Sequence, residues 1–241
     1  MKLRLRRFLV IIGSFIVVLI WVLVNPESYD EIFTRVENDG IEVPATNVTE
    51  ELNDSGSLAT EILEKLEVKG RAPKTGYART EFYDGWPLVD GCSLRQRILK
   101  RELGDSAVLE GCNVVAGEFD EAYTGRHIVM NSRDDVSKIQ IDHVVALSDA
   151  WQKGAQYMDY ETRNRIATDP LNLLAVDGEA NEQKSDGDAA TWLPANKKFR
   201  CQYVARQVSV KYKYSLWVTK AEKEAIIRVL NNCPNETVIG I

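Results

Sequence analysis

A chain of 241 residues is long enough for one domain of ordinary size with accessory segments. Hydrophobic residues at 44% and charged residues at 27% are globular proportions, so wholesale disorder and a collagen-like chain are excluded. The formal charge of −6 argues at first against a nucleic-acid partner, yet it is unevenly spread: residues 25–69 carry 3 basic and 12 acidic side chains, whereas residues 70–241 carry 23 and 24.

At the amino terminus Lys2, Arg4, Arg6 and Arg7 precede an uncharged run from Phe8 to Val24. A basic flank before an apolar stretch marks an exported chain. The run of 17 residues is at the short end for a helix that spans a bilayer. Val22, Leu23 and Val24 are bulky where a cleaved signal peptide has small residues. The reading is therefore a signal anchor over 1–24, a transmembrane helix with its basic end cytoplasmic, rather than a cleaved signal peptide. The rest of the chain is then extracytoplasmic, held at the membrane or secreted. Residues 25–69 read as an acidic stalk or linker, rich in Gly, Pro, Asn and Asp. A short amphipathic helix is predicted over Ser57–Val68, where Leu58, Ile62, Leu63 and Leu66 fall at helical spacing. The folded domain is expected over 70–241.

The cysteines agree with export. Cys92, Cys112, Cys201 and Cys233 make an even set, which outside the cytoplasm points to two disulfides. Of the three possible connectivities, local closure is expected, Cys92–Cys112 and Cys201–Cys233. A zinc site is disfavoured, because no C-x-x-C spacing occurs. His127, in YTGRHIVM, reads as an exposed strand residue without a partner.

The informative region is 137–192. KIQIDH alternates like a half-buried strand and ends on Asp142 and His143. A second apolar run, Leu171–Val176, follows Asp169-Pro170, a pair that stops helices. Asp177-Gly178 supplies a turn, and GEANEQKSD opens a helix with Asn181 and Lys184 on one face. Strand, strand, helix with converging polar groups is a small metal-centred finger. With two histidines in the chain and the cysteines in disulfides, a metal must be held by oxygen ligands, which favours Mg²⁺ or Mn²⁺. Asp142 offers a carboxylate and Asn181 an amide oxygen. His143 suits a general base, and Lys184 can neutralise a phosphate, the set that phosphodiester hydrolysis needs.

Asp142-His143, Asn172, Asn181 and Lys184 resemble the HNH (ββα-metal, His-Me finger) endonucleases. Closer still is the resemblance to the exported, mostly actinobacterial HNH proteins of the DUF1524 group, related to the GmrSD restriction endonuclease C-terminal domain. It rests on QIDHVVALSDAW, DPLNLLAVDGEANEQKSDGDAATWLP and the later RCQYVARQ and KYKYSLWVT stretches, and covers roughly residues 76–234. The resemblance implies an α+β fold with a ββα-metal HNH core over 137–192, additional helices and a nuclease activity. It makes His143 the general base, Asp142 and Asn181 metal ligands, Asn172 an orienter of the loop, and Lys184 a group near the phosphate. The span from His143 to Asn172 is longer than in a minimal finger and should add a helix. Upstream, DGCSLRQRILKREL keeps Arg95 of a Cys-x-x-Arg pattern, a candidate for phosphate or structural contact, while Ser93 and Leu94 stand where Asp and Thr are usual.

Between Asp188 and Glu222 there is no acid, but Lys197, Lys198, Arg200, Arg206, Lys211, Lys213 and Lys220 alternate with aromatic residues. That stretch is a candidate landing surface for a phosphate backbone, with Lys197, Lys198 and Arg200 nearest the finger, and equally a solvated helix whose aromatic residues pack inward. No base-reading motif is visible, so little sequence specificity is expected. The expected function is a metal-dependent endonuclease acting on nucleic acid, DNA first. A catalytically silent surface-binding module on the same scaffold, and a hydrolase of another phosphoester, are the alternatives.

Overall fold

A computed structural model describes residues 56–240, so the apolar run 8–24 and the stalk from 25 to 55 lie outside the described residues. Among the described residues no helix is long and apolar enough to cross a membrane. The fold is mixed α+β. Helix α1 (Ala59–Lys65) is followed, after an irregular segment with a 3-10 turn at Arg79–Glu81, by the two-residue strands β1 (Leu88–Val89) and β2 (Cys92–Ser93) and helix α2 (Leu94–Leu103). A meander of β3 (Val108–Glu110), β4 (Asn113–Asp120) and β5 (His127–Met130) comes next, then the short helix α3 (Arg133–Ser137). Strand β6 (Ile139–His143) pairs antiparallel with β7 (Leu173–Asp177), in register from Ile139 opposite Asp177 to His143 opposite Leu173. Helices α4 (Leu147–Gln152) and α5 (Tyr160–Thr168) fill the connection, two where one was expected. Helix α6 (Gly178–Lys184) follows β7 directly, and α7 (Arg200–Lys213) and α8 (Lys220–Leu230) complete the chain.

The β6–β7 ribbon lies between two apolar clusters because its side chains alternate. Ile139, Ile141, Leu173 and Ala175 face α2 and the meander, packing with Ile98, Leu99 and Met130. On the other side Leu174 and Val176 join Tyr203, Val204 and Val208 of α7 and Ile226 and Leu230 of α8. At the hinge between β7 and α6, Asp177 caps the helix by accepting from the Ala180 amide (3.0 Å). Gly178 sits so close to β6 that a Cβ there would stand 2.7 Å from the Lys138 carbonyl oxygen. Only glycine fits that approach.

Two expectations change here. Helix α1 forms where the amphipathic spacing placed it, but Ile62 and Leu63 are buried in the α7–α8 cluster and Leu58 bridges to Thr237. The folded unit therefore begins before residue 70, because that helix has an apolar face which only the main core can cover. His127 is exposed as expected, but it is not without a partner. Its Nδ1 lies 2.9 Å from Asp120, and this contact, opposed by burial and aided by Glu118, raises its pKa.

The disulfides join Cys92 to Cys112 and Cys201 to Cys233, the local pairing. On the chain-entropy model each stabilises the fold by about 3 kcal/mol. Beneath α7 lies a charged core. Lys153 is fully buried against Asp149 (2.7 Å), Asp188 (2.8 Å) and Glu222 (2.6 Å). Lys211, equally buried, meets Asp149 (3.1 Å) and Glu222 (2.8 Å), and Arg71 closes the set on Asp149 (3.1 Å) and Asp188 (2.7 Å). Three cations thus balance three carboxylates, as desolvated charges must. This corrects the expectation for Lys211, which belongs to the interior and not to a basic surface.

Replacing Lys153 with Met should strand buried carboxylates and lower the unfolding free energy by about 3–5 kcal/mol, read from denaturant midpoints. Acid should act through the same network. Burial alone would raise the Asp188 carboxyl, but Lys153 and Arg71 outweigh it and hold the group at about 2, below its ordinary 3.8. A depressed folded value means the stabilisation is complete above about pH 4 and is lost as pH falls towards 2. Unfolding midpoints measured through that window should fall, and Asp188→Asn should flatten the fall.

Candidate active site

Strand β6 ends with two neighbouring side chains that point to opposite sides of the ribbon, as successive strand residues do. Asp142 turns towards α6 and α7, and His143 towards the aromatic residues of the segment before β1. They reach a common cleft of about 460 Å³, whose walls also include Asn181 and Glu182 of α6 and Lys74 and Arg79 of the amino-terminal segment.

Two aromatic rings and one carbonyl hold the His143 ring. Trp86 stacks on it with planes 9° apart and centroids 5.9 Å apart, and Tyr83 packs at 5.8 Å. Its Nε2 lies 2.9 Å from the Ala167 carbonyl oxygen, which can only accept, so Nε2 carries the proton. The lone pair is then on Nδ1. Burial lowers the ring's pKa to about 3, with the Ala167 bond opposing and Arg79 and Lys184 adding to the fall. The imidazole is neutral at pH 7.

Asp142 is buried and fully engaged. Lys184 Nζ sits 2.9 Å from Oδ1 and the Tyr123 hydroxyl donates to Oδ2 at 2.5 Å. Burial raises the carboxyl's pKa, with Lys184 and Tyr123 opposing. Lys184 also donates to the His143 carbonyl oxygen (2.9 Å) and is fully buried. The expectation that Lys184 meets a phosphate is therefore corrected: its ammonium is spent on Asp142, because a carboxylate in this interior needs a counter-charge. Asn172 is buried beside the same end of β6, next to the loop that follows His143. Its Oδ1 accepts from the Val145 amide (2.8 Å), and its Nδ2 donates to the carbonyls of Ile166 (3.1 Å) and Val145 (3.3 Å). It ties the loop after His143 to the end of α5, a positioning role.

Asn181 Nδ2 donates to Gln140 Oε1 (2.8 Å), and its own amide oxygen has no protein partner among the described residues. Apart from His143 Nδ1, the donors around the cleft are oxygen, from Asp142, Asn181, Glu182 and Asp186 among others. Such a set suits Mg²⁺ or Mn²⁺ with water in the remaining positions, and each Asp142 oxygen keeps a second lone pair. The residues present fit a hard divalent ion. Thiolate ligation is not open to the trio Cys201, Cys233 and Glu236, whose sulfurs form a disulfide.

The remaining candidates fall elsewhere. Arg95, on α2, donates to the Ile139 carbonyl oxygen (3.0 Å) and is half-buried, and burial lowers its pKa. It braces the start of β6. Lys197, Lys198 and Arg200 line two other cavities and not the cleft. Sequence reading missed Arg79, whose Nε (2.9 Å) and Nη2 (2.5 Å) meet the Tyr83 hydroxyl at the cleft. The i, i+4 spacing of that pair in GYARTEFY was the available signal. It missed Tyr123 too, since nothing local ties a residue between β4 and β5 to β6.

Asn172→Ala should destabilise the protein by about 1–3 kcal/mol by leaving buried backbone groups unpaired. Hydrogen exchange of the Val145 amide should accelerate in the same variant.

Among known proteins, residues 96–229 match the family model described as GmrSD restriction endonucleases, C-terminal domain. An uncharacterized secreted protein of Arthroderma benhamiae is 34% identical over 182 residues, 74% of this chain and 86% of the relative. No solved structure matches the chain.

Proposed function

We propose an endonuclease, on the premise that this chain belongs to the family of the C-terminal domain of GmrSD restriction endonucleases. The strand pair β6–β7 with helix α6 is read as a ββα-metal finger, and the substrate as nucleic-acid phosphodiester, DNA first, with little sequence specificity. The observation that carries this reading is the His143 ring. Its proton is fixed on Nε2 by Ala167, and its neutral state leaves the Nδ1 lone pair for a proton in a cleft of oxygen donors.

His143 Nδ1 takes a proton from water as the water oxygen attacks phosphorus. The bond from phosphorus to the leaving oxygen then breaks, and that oxygen takes a proton from solvent. Asp142 and Asn181 are the residues that would hold Mg²⁺ or Mn²⁺, and the ion when bound supplies Lewis-acid stabilisation of charge on the phosphate. Lys184 keeps the buried Asp142 supplied with positive charge, and Tyr123 fixes its second oxygen. Arg79 and Lys74, at the mouth, take the phosphate-facing part that Lys184 cannot. Trp86 and Tyr83 shield the ring. Two disulfides and a relative described as secreted support a place outside the cytoplasm, with residues 1–24 as export signal or anchor.

Supercoiled plasmid tests the proposal. The protein should nick it with Mg²⁺ or Mn²⁺ and not in EDTA, and His143→Ala should slow nicking by about 10²–10⁴-fold. The silent binding module is favoured by one observation, the occupation of both Asp142 oxygens. Folded protein that binds DNA but never nicks it with any divalent ion would establish that second reading instead.

A further inference from the structure

The cleft has a charge problem. Without a metal it sets the carboxylates of Asp142, Glu182 and Asp186 against Lys74 and Arg79, with Lys184 consumed by Asp142. Lys74 is itself paired with Asp186 (2.9 Å). Such a cleft has little attraction for a polyanion, and affinity for nucleic acid comes chiefly from cations that meet phosphates.

Those cations stand in a second cavity, about 580 Å³, between the start of α7 and the end of α8. Lys197, Arg200 and Arg228 line it and no acid does. Small residues, Ala189, Ala190 and Ala225, leave the space open. Most other lysines and arginines of the described residues are matched to carboxylates, whereas Lys197 and Arg228 have no side-chain partner there and Arg200 gives only its Nε to the Pro194 carbonyl oxygen (2.7 Å). Three cations without a counter-charge around one concavity repel one another, so the arrangement favours an anion.

The cavity is joined to the cleft by a short, stiff piece of chain. Asp186 lines the cleft and Ala189 lines the cavity, so their Cα atoms are at most roughly 11 Å apart. Asp188, between them, is clamped by Lys153 and Arg71 and accepts from the Ala190 amide (3.0 Å). The two openings thus share a pinned wall, Asp186 on one side and Ala189 on the other, and a strand rising about 3.4 Å per nucleotide can run past both.

We propose that Lys197, Arg200 and Arg228 form a phosphodiester-binding site that holds the nucleic-acid strand a few nucleotides from the cleft. The site deepens the nuclease reading and rests on it for the identity of the strand. Arg228, on the last helix, is the residue that no motif indicated. The ligand is a backbone phosphate of a polymer, because three separated cations around an open cavity track a chain better than they enclose one small ion.

The test is equilibrium binding of a short fluorescent DNA duplex to the full chain in EDTA, where cleavage does not intervene, across a range of potassium chloride. Arg228→Gln and Lys197→Gln, both exposed positions, should each weaken binding severalfold. Each should also reduce the slope of log K against log salt by about one. Arg133→Gln, on α3 and paired with Glu110 away from both openings, is the control and should leave both quantities as they are. Unchanged affinity and slope in Arg228→Gln would overturn the site even if the protein nicks plasmid. Conversely, a protein that never nicks but shows these losses keeps the site and loses the nuclease. Inorganic phosphate is titrated separately by calorimetry. Tight phosphate binding lost in Arg228→Gln, with duplex affinity unchanged, would assign the cavity to a free anion and overturn the proposal.

Discussion

Six charged groups buried under α7 govern how the rest of the molecule is arranged. Arg71, Asp149, Lys153, Asp188, Lys211 and Glu222 come from five separate pieces of chain, and no subset of them is neutral and satisfied without the others. An apolar contact tolerates sliding by an ångström; a desolvated ion pair does not, because the attraction that offsets its desolvation falls with distance and angle. The network therefore fixes relative positions where greasy packing would only fix proximity. It sets α4 beside α7 and α8, and it pins the segment that follows α6. A hydrophobic core of equal volume would hold the domain together at least as strongly, so the network is best understood as a device of register.

The same economy of charge shapes the cleft. Asp142 lies in an interior that would protonate a lone carboxyl, and Lys184 and Tyr123 answer that pressure from two sides. His143 faces the same pressure towards neutrality, and nothing answers it except a carbonyl that selects the tautomer. Adjacent residues on one strand thus acquire opposite electrostatic character because strand geometry sends them to different surroundings. That division is what gives the pair its separate parts, one anionic and held, the other neutral and accepting.

Much of this was legible in the sequence, and the reasons it was legible are local. Alternation in KIQIDH, the Asp177-Gly178 junction and the nearness of each cysteine to its partner report on a few neighbouring residues, and the structure has the strand, the capped helix and the local disulfides. What the sequence concealed was long-range. Lys184 and Lys211 look like surface lysines until Asp142 and the Asp149–Glu222 pair are seen beneath them, since burial of an ammonium depends on partners 42 and 62 positions away. Helix α1 was recognisable as a helix but not as part of the core, because amphipathic spacing shows that a face will be covered and not by what. Arg79 and Tyr123 reach the cleft from loops, where no periodicity announces a role. The acidic total, which seemed to speak against a polyanionic partner, belongs to residues 25–69, with 3 basic against 12 acidic side chains, while residues 70–241 are nearly balanced.

The start of α8 carries one further lesson. Thr219 and Glu222 form a capping box there, and the Glu222 carboxylate that receives the Thr219 amide (3.3 Å) also receives Lys153 at 2.6 Å. In most helices the first turn frays at little cost, since water replaces the cap. Here unwinding that turn would withdraw the anion from two buried ammonium groups at once. Local opening there costs about 3–5 kcal/mol where fraying is ordinarily almost free, so a helix end that would be a soft spot for a protease becomes a guarded one.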